Sequence, residues 1–132
     1  MSGLYLSASE IPGAGQGVFS ATDLPEGYRL PVSGIVMERG SVRDVCTHAS
    51  DAYKFRWKGK LILPLDLAGM VNHSPKPNMR VGEVEGVLCL VAIHPIEAGQ
   101  ELTHRYGPDA LKYFGEATDA KKTQTPASPA AD

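Results

Sequence analysis

The chain is expected to fold as one mainly β domain with one or two short helices, on three observations. Its apolar residues fall in short runs bounded by glycine, proline or charged turn formers, the signature of short strands. The 14 glycines and 10 prolines are spread between those runs, which calls for frequent turns and leaves no room for long helices. At 132 residues and 42% apolar, the chain can bury one core but not two.

In chain order, strands are expected over 4–7, 17–19, 32–37, 60–65, 87–93 and 101–106. The run Val87-Leu88-Cys89-Leu90-Val91-Ala92-Ile93 is apolar throughout. A strand of that kind is covered on both faces and belongs at the centre of its sheet. One helix start stands out. Ser41, with Asp44 three residues on, can satisfy the first free amides as a capping box does, and the helix should end near Ser50. Two turn phrases share an acid and a glycine, Leu24-Pro25-Glu26-Gly27 and Ile96-Glu97-Ala98-Gly99, and each is expected to turn the chain into the next strand. From Ala117 onward there is no large apolar side chain to bury. Residues 1–116 are therefore expected to form the domain and 117–132 a disordered tail.

Composition excludes several functions. A net charge of −2 with both signs interspersed is unlike the basic footprint of a protein that binds DNA or RNA directly. A mildly acidic surface would suit a basic peptide, although ordinary solubility explains it as well. Cys46 and Cys89 form no Cys-x-x-Cys pair, and His48 completes no zinc-ligand spacing, so no metal is expected. No run approaches a membrane span, and the first residues are too short and polar for a signal peptide. A soluble intracellular protein with reduced thiols is expected.

Three strings could carry chemistry. Gly13-Ala14-Gly15-Gln16-Gly17-Val18-Phe19 is a glycine-rich loop that lets main-chain groups approach a ligand, although alone it reads as a tight turn. It is not a dinucleotide fingerprint, since its glycine spacing differs. Asn72-His73-Ser74-Pro75-Lys76-Pro77-Asn78 follows an apolar lead-in, bringing several hydrogen-bonding groups to one buried point where each needs a partner or a ligand. Glu101-Leu102-Thr103-His104-Arg105-Tyr106-Gly107 is a strand ending in a tyrosine, which by itself suggests packing.

Taken in this order, the three strings resemble the SET-domain family of protein lysine methyltransferases, over residues 4–113. The resemblance is to a short member of the viral or bacterial type, because nothing after Gly107 supplies the zinc-binding cysteines found in many relatives. It implies a β-clip of small sheets whose closing segment passes the 72–78 segment in a pseudoknot. It implies S-adenosylmethionine as cofactor, leaving as S-adenosylhomocysteine. Gly15, Gln16 and Gly17 would contact it through main chain, Asn72 would hold its methionine portion, His73 would meet the adenine and Tyr113 or Phe114 would cover it. Tyr106 would be the catalytic tyrosine. Tyr53, Phe55 and His104 would line the lysine channel. The implied partner is a lysine-bearing protein or peptide, histone tails being the habitual family target, and some short members pair as homodimers.

Such a site must take a proton from lysine, whose ordinary pKa is about 10.4, because only the neutral amine can attack a methyl carbon. A narrow apolar channel does this by disfavouring the ammonium. At 104 many relatives carry phenylalanine or tyrosine. Histidine there is smaller and is expected to titrate near neutral pH, which would make the product state pH-dependent. The competing reading is a catalytically silent module of the same fold that recognises a peptide or the cofactor.

Overall fold

The computed structural model describes residues 3–106. The tail expected over 117–132, the domain boundary at 116 and Tyr113 lie outside the described residues. Among the described residues, ten short strands form three small sheets. β1 (Leu4–Ala8), β2 (Gln16–Ser20), β10 (Glu101–His104) and β7 (Asn72–His73) lie in the order β1-β2-β10-β7. β3 (Arg29–Pro31), β9 (Val87–Ala92) and β8 (Met79–Val84) form the second sheet, with β9 central as expected. β4 (Gly34–Met37), β6 (Lys60–Pro64) and β5 (Phe55–Trp57) form the third. One core fills the space between the sheets, with Val18, Val71, Met79, Leu90, Ile96 and Leu102 almost wholly excluded from solvent. Among the described residues, no helix is long and apolar enough to cross a membrane.

Of the single strand expected over 32–37, residues 34–37 form β4, while 32–33 is a break between β3 and β4, which lie in different sheets. Main-chain bonding to β9 reaches Val32, whose N–H donates to the Leu88 carbonyl at 2.9 Å. Beyond it, the Asp66 carboxylate takes the Ser33 N–H and hydroxyl at 3.0 and 2.7 Å, which turns the chain. Gly34 then passes so close to β6 that a Cβ would stand 1.9 Å from the Leu63 carbonyl oxygen. The helix is also shorter than expected. α1 spans Val42–Cys46, and a 3-10 turn over His48–Tyr53 follows. Ser41 Oγ accepts from the Asp44 N–H at 3.2 Å, but Asp44 reaches back to the Gly40 N–H rather than to that of Ser41.

The two similar turn phrases pair with each other. Leu24 and Ile96 exchange main-chain hydrogen bonds at 2.7 and 2.9 Å. The Gly27 N–H donates to the last residue of β9, Ala92, and the Gly99 N–H to the last residue of β2, Ser20. Both glycines sit at positive φ, +88° and +87°, where a side chain is disfavoured. This reciprocal corner delivers β10 into the gap between β2 and β7. β10 is antiparallel to β2, through Glu101↔Phe19 and Leu102↔Val18, and parallel to β7, through Thr103↔Asn72 and His104↔His73. Asn78 grips it further along: its Oδ1 accepts from the Thr103 N–H at 2.8 Å and its Nδ2 donates to the Glu101 carbonyl at 2.9 Å. This is the crossing of the closing segment past 72–78 that the resemblance implies.

Candidate functional site

Three segments far apart in sequence meet at the carboxylate of Glu101, which is buried. Ser9 Oγ lies 2.8 Å from Oε2 and 3.0 Å from Oε1, the Glu10 N–H donates to Oε1 at 3.0 Å, and Asn72 Nδ2 donates to Oε2 at 3.0 Å. Asn72 Nδ2 also donates to the Gln16 carbonyl at 2.8 Å. Both amide protons are thus committed to oxygens, which fixes the orientation of the group. Nothing among the described residues donates to its Oδ1, so that oxygen is left to accept from a ligand. Gly17 packs against this corner because a Cβ would lie 2.1 Å from Glu101 Oε2. Gly15, at φ +76°, makes the preceding bend.

The other end of the β7–β10 ladder carries aromatic rings. His104 stacks on Phe55 with centroids 5.5 Å apart, and Tyr106 lies 5.1 Å from both His104 and His73. The Tyr106 N–H donates to His73 Nδ1 at 3.0 Å, which makes Nε2 the protonated nitrogen of a neutral His73. It also explains why β10 stops at His104 instead of running to 106. Of these rings, Phe55, His104 and Tyr106 join Tyr53 in lining a cleft of about 810 Å³.

The expected site residues therefore fall into two groups. Gln16, Gly17 and Asn72 meet around Glu101, with Gly15 at the bend before them, while Tyr53, Phe55, His104 and Tyr106 share the cleft. His73 joins the groups, lying next to Asn72 on β7 and holding the main chain of Tyr106.

A family model described as the SET domain matches residues 15–107, a span that runs from the glycine loop to the end of the closing string. The chain belongs to the SET-domain family. Solved structures agree on the fold: 253 chains match this SET domain. One is described as a humanized mutant of the Chaetomium thermophilum Polycomb Repressive Complex 2 bound to the inhibitor GSK126, with a TM-score of 0.70 and 22% identity. The match covers 84% of this SET domain's chain but only 16% of that chain. No curated protein matches in sequence.

His104 departs from expectation. It is 5% exposed, and its Nδ1 is buried with no hydrogen-bond partner among the described residues. Burial, opposed by a main-chain interaction at Arg105, pushes its pKa down to about 4. The ring is therefore neutral near pH 7, because desolvation penalises the imidazolium, and the near-neutral titration expected from sequence is corrected. The consequence is an acid-sensitive fold. The unfolded chain binds this proton near pH 6.5 and the folded chain only near 4. Stability is thus full above about 6.5 and falls between 6.5 and 4, by up to about 3 kcal/mol. Urea unfolding across that range should show the slope in the wild type and a flatter profile in His104→Phe. Equal slopes would show that His104 is not its source.

Sequence reasoning missed two groups. Glu101 was legible only as part of a string. Lys54, whose side chain is 2% exposed, forms the floor of the cleft's charged side. Its Nζ binds Asp44 Oδ1 at 2.7 Å, Asp51 Oδ1, and the Asp44 carbonyl at 3.1 Å. Burial alone would lower its pKa, but the bonds to Asp44 and Asp51 outweigh that and raise it. The same contact with Lys54, then the Gly40 N–H, holds the Asp44 carboxyl below its ordinary value. A capped helix start with acids at 44 and 51 was the available signal.

Proposed function

We propose that this SET domain, taken as residues 1–116, is a protein-lysine N-methyltransferase that uses S-adenosylmethionine. The observation that carries the reading is the β7–β10 ladder. Asn72, whose Oδ1 receives no donor among the described residues, and Tyr106, which lines an aromatic cleft, are linked through the intervening His73. The residues fit the cofactor. Asn72 Oδ1 suits the ammonium of its methionine portion, and Gly15, Gln16 and Gly17 offer main-chain groups beside it. His73 would meet the adenine, and Tyr113, outside the described residues, would cover it.

When bound, the cofactor supplies an electrophilic methyl carbon on a positive sulfur. The chain's own residues do the rest. Tyr53, Phe55 and a neutral His104 line the cleft and disfavour an ammonium there, so the target lysine gives its proton to water and keeps its lone pair for attack. Holding that amine on the line of transfer lowers the barrier by several kcal/mol. The Tyr106 hydroxyl would orient it, a contact effective because it is fixed in advance.

Calorimetry with S-adenosylmethionine tests the first half. Wild type should bind, and Asn72→Ala should bind about 10- to 100-fold more weakly, the loss expected for a hydrogen bond to a charged group. Labelled methyl transfer to a lysine-rich protein mixture tests the second half. Binding without transfer would favour a silent recognition module, and no binding would overturn the proposal.

A further inference from the structure

We infer that the protein modified by this SET domain presents its lysine beside acidic residues, and that Arg105 recognises them. The inference rests on the methyltransferase reading and names the substrate class for the same cleft. Among the described residues, six charged side chains line that cleft: Arg39, Lys54, Arg56 and Arg105 against Asp44 and Asp51. Both acids are already engaged. Lys54 binds the two together, Asp44 also accepts from the Gly40 N–H at 2.8 Å, and Asp51 also pairs with His48. Among the described residues the lining thus has a formal excess of two positive charges, with Lys54 spent on both acids, in a chain whose formal charge is −2. The charge of the whole chain would favour a basic peptide, but the local charge favours the reverse.

Arg105 is the centre of this field. It is exposed, adjoins Tyr106 in sequence and forms no ion pair among the described residues. A target lysine arriving with further cations, as on a polybasic tail, would meet like charge at the cleft wall. One flanked by aspartate or glutamate would offer a carboxylate to a guanidinium, a charge-assisted and often two-pronged hydrogen bond. Complementary charge of this kind chooses among partners and speeds encounter.

The test is methylation of a peptide library with a central lysine and randomised flanks, using the full chain and labelled S-adenosylmethionine, with cofactor binding measured in parallel. Wild type should select aspartate or glutamate next to the modified lysine, with kcat/KM about tenfold above matched arginine-flanked peptides. That ratio should shrink as salt screens the pair. Arg105→Glu should reverse the preference. Arg105→Gln, which retains bulk and polarity, should abolish it while still methylating. Selection of basic flanks by the wild type, or an unchanged preference in both variants, would overturn the inference while leaving the methyltransferase reading intact. Cofactor binding with no transfer to any peptide would overturn both.

Discussion

Glu101→Ala is expected to cost about 3–5 kcal/mol of stability, a large share of the roughly 5–15 kcal/mol that holds a domain of this size together. Glu101 is 8% exposed, and its carboxylate receives the Ser9 hydroxyl, the Glu10 N–H and the Asn72 amide. Removing it leaves those donors without an acceptor, at about 1–3 kcal/mol for each one that stays buried. Glu101→Gln retains the shape but turns an amide toward donors, so about 1–2 kcal/mol is expected. Urea unfolding of the three proteins checks the order. A loss below 1 kcal/mol for alanine would mean that water takes over these contacts and that the corner is not what fixes Asn72. Gly17→Ala should damage the same corner, since its methyl would have to displace Glu101 Oε2 from 2.1 Å away.

Tyr106→Phe should reduce methyl transfer at least about 100-fold, the loss typical of deleting one oriented polar group at a reacting centre. Affinity for S-adenosylmethionine and the unfolding midpoint should hardly move. The phenylalanine ring can keep its packing against His73 and His104, and the bond to His73 Nδ1 is made by the main-chain N–H, which the substitution retains. Single-turnover transfer from labelled cofactor separates the effects. A parallel loss of cofactor affinity would assign Tyr106 to binding, and unchanged transfer would remove it from the chemistry.

Residue type and order made much of this readable. A glycine loop, then Asn72-His73, then Tyr106 are the elements that meet at the site, and the uninterrupted apolar run of β9 announced its central position. What escaped has physical causes. β5 and β8 end in two-residue turns, Lys58-Gly59 and Glu85-Gly86, whose first residues sit at φ 52° and 54°. Hairpin turns of this kind are normally signalled by asparagine or aspartate before the glycine. A lysine or glutamate held in the left-handed region gives no such warning, so both hairpins read as loops. β7 is only two residues long and exists because β10 lies alongside it. Lys54 is buried because Asp44 and Asp51 surround it, and Glu101 is held by Ser9 and Asn72, partners that no local pattern names. His104 misled for the same reason: its ordinary pKa belongs to an imidazole in water, and Phe55 and Tyr106 replace that water.

The insertion of β10 between β2 and β7 also constrains how the chain is made. A ribosome releases the glycine loop early and Asn72 midway, yet neither can settle until the strand synthesised last among the described elements slides in and pairs with both. Pairings this distant along the chain form slowly. Until then β2 has β1 on one side and an open edge on the other, ready to pair with another nascent copy. Emergence of β10, rather than growth of the first half of the domain, should therefore set when this domain becomes resistant to protease.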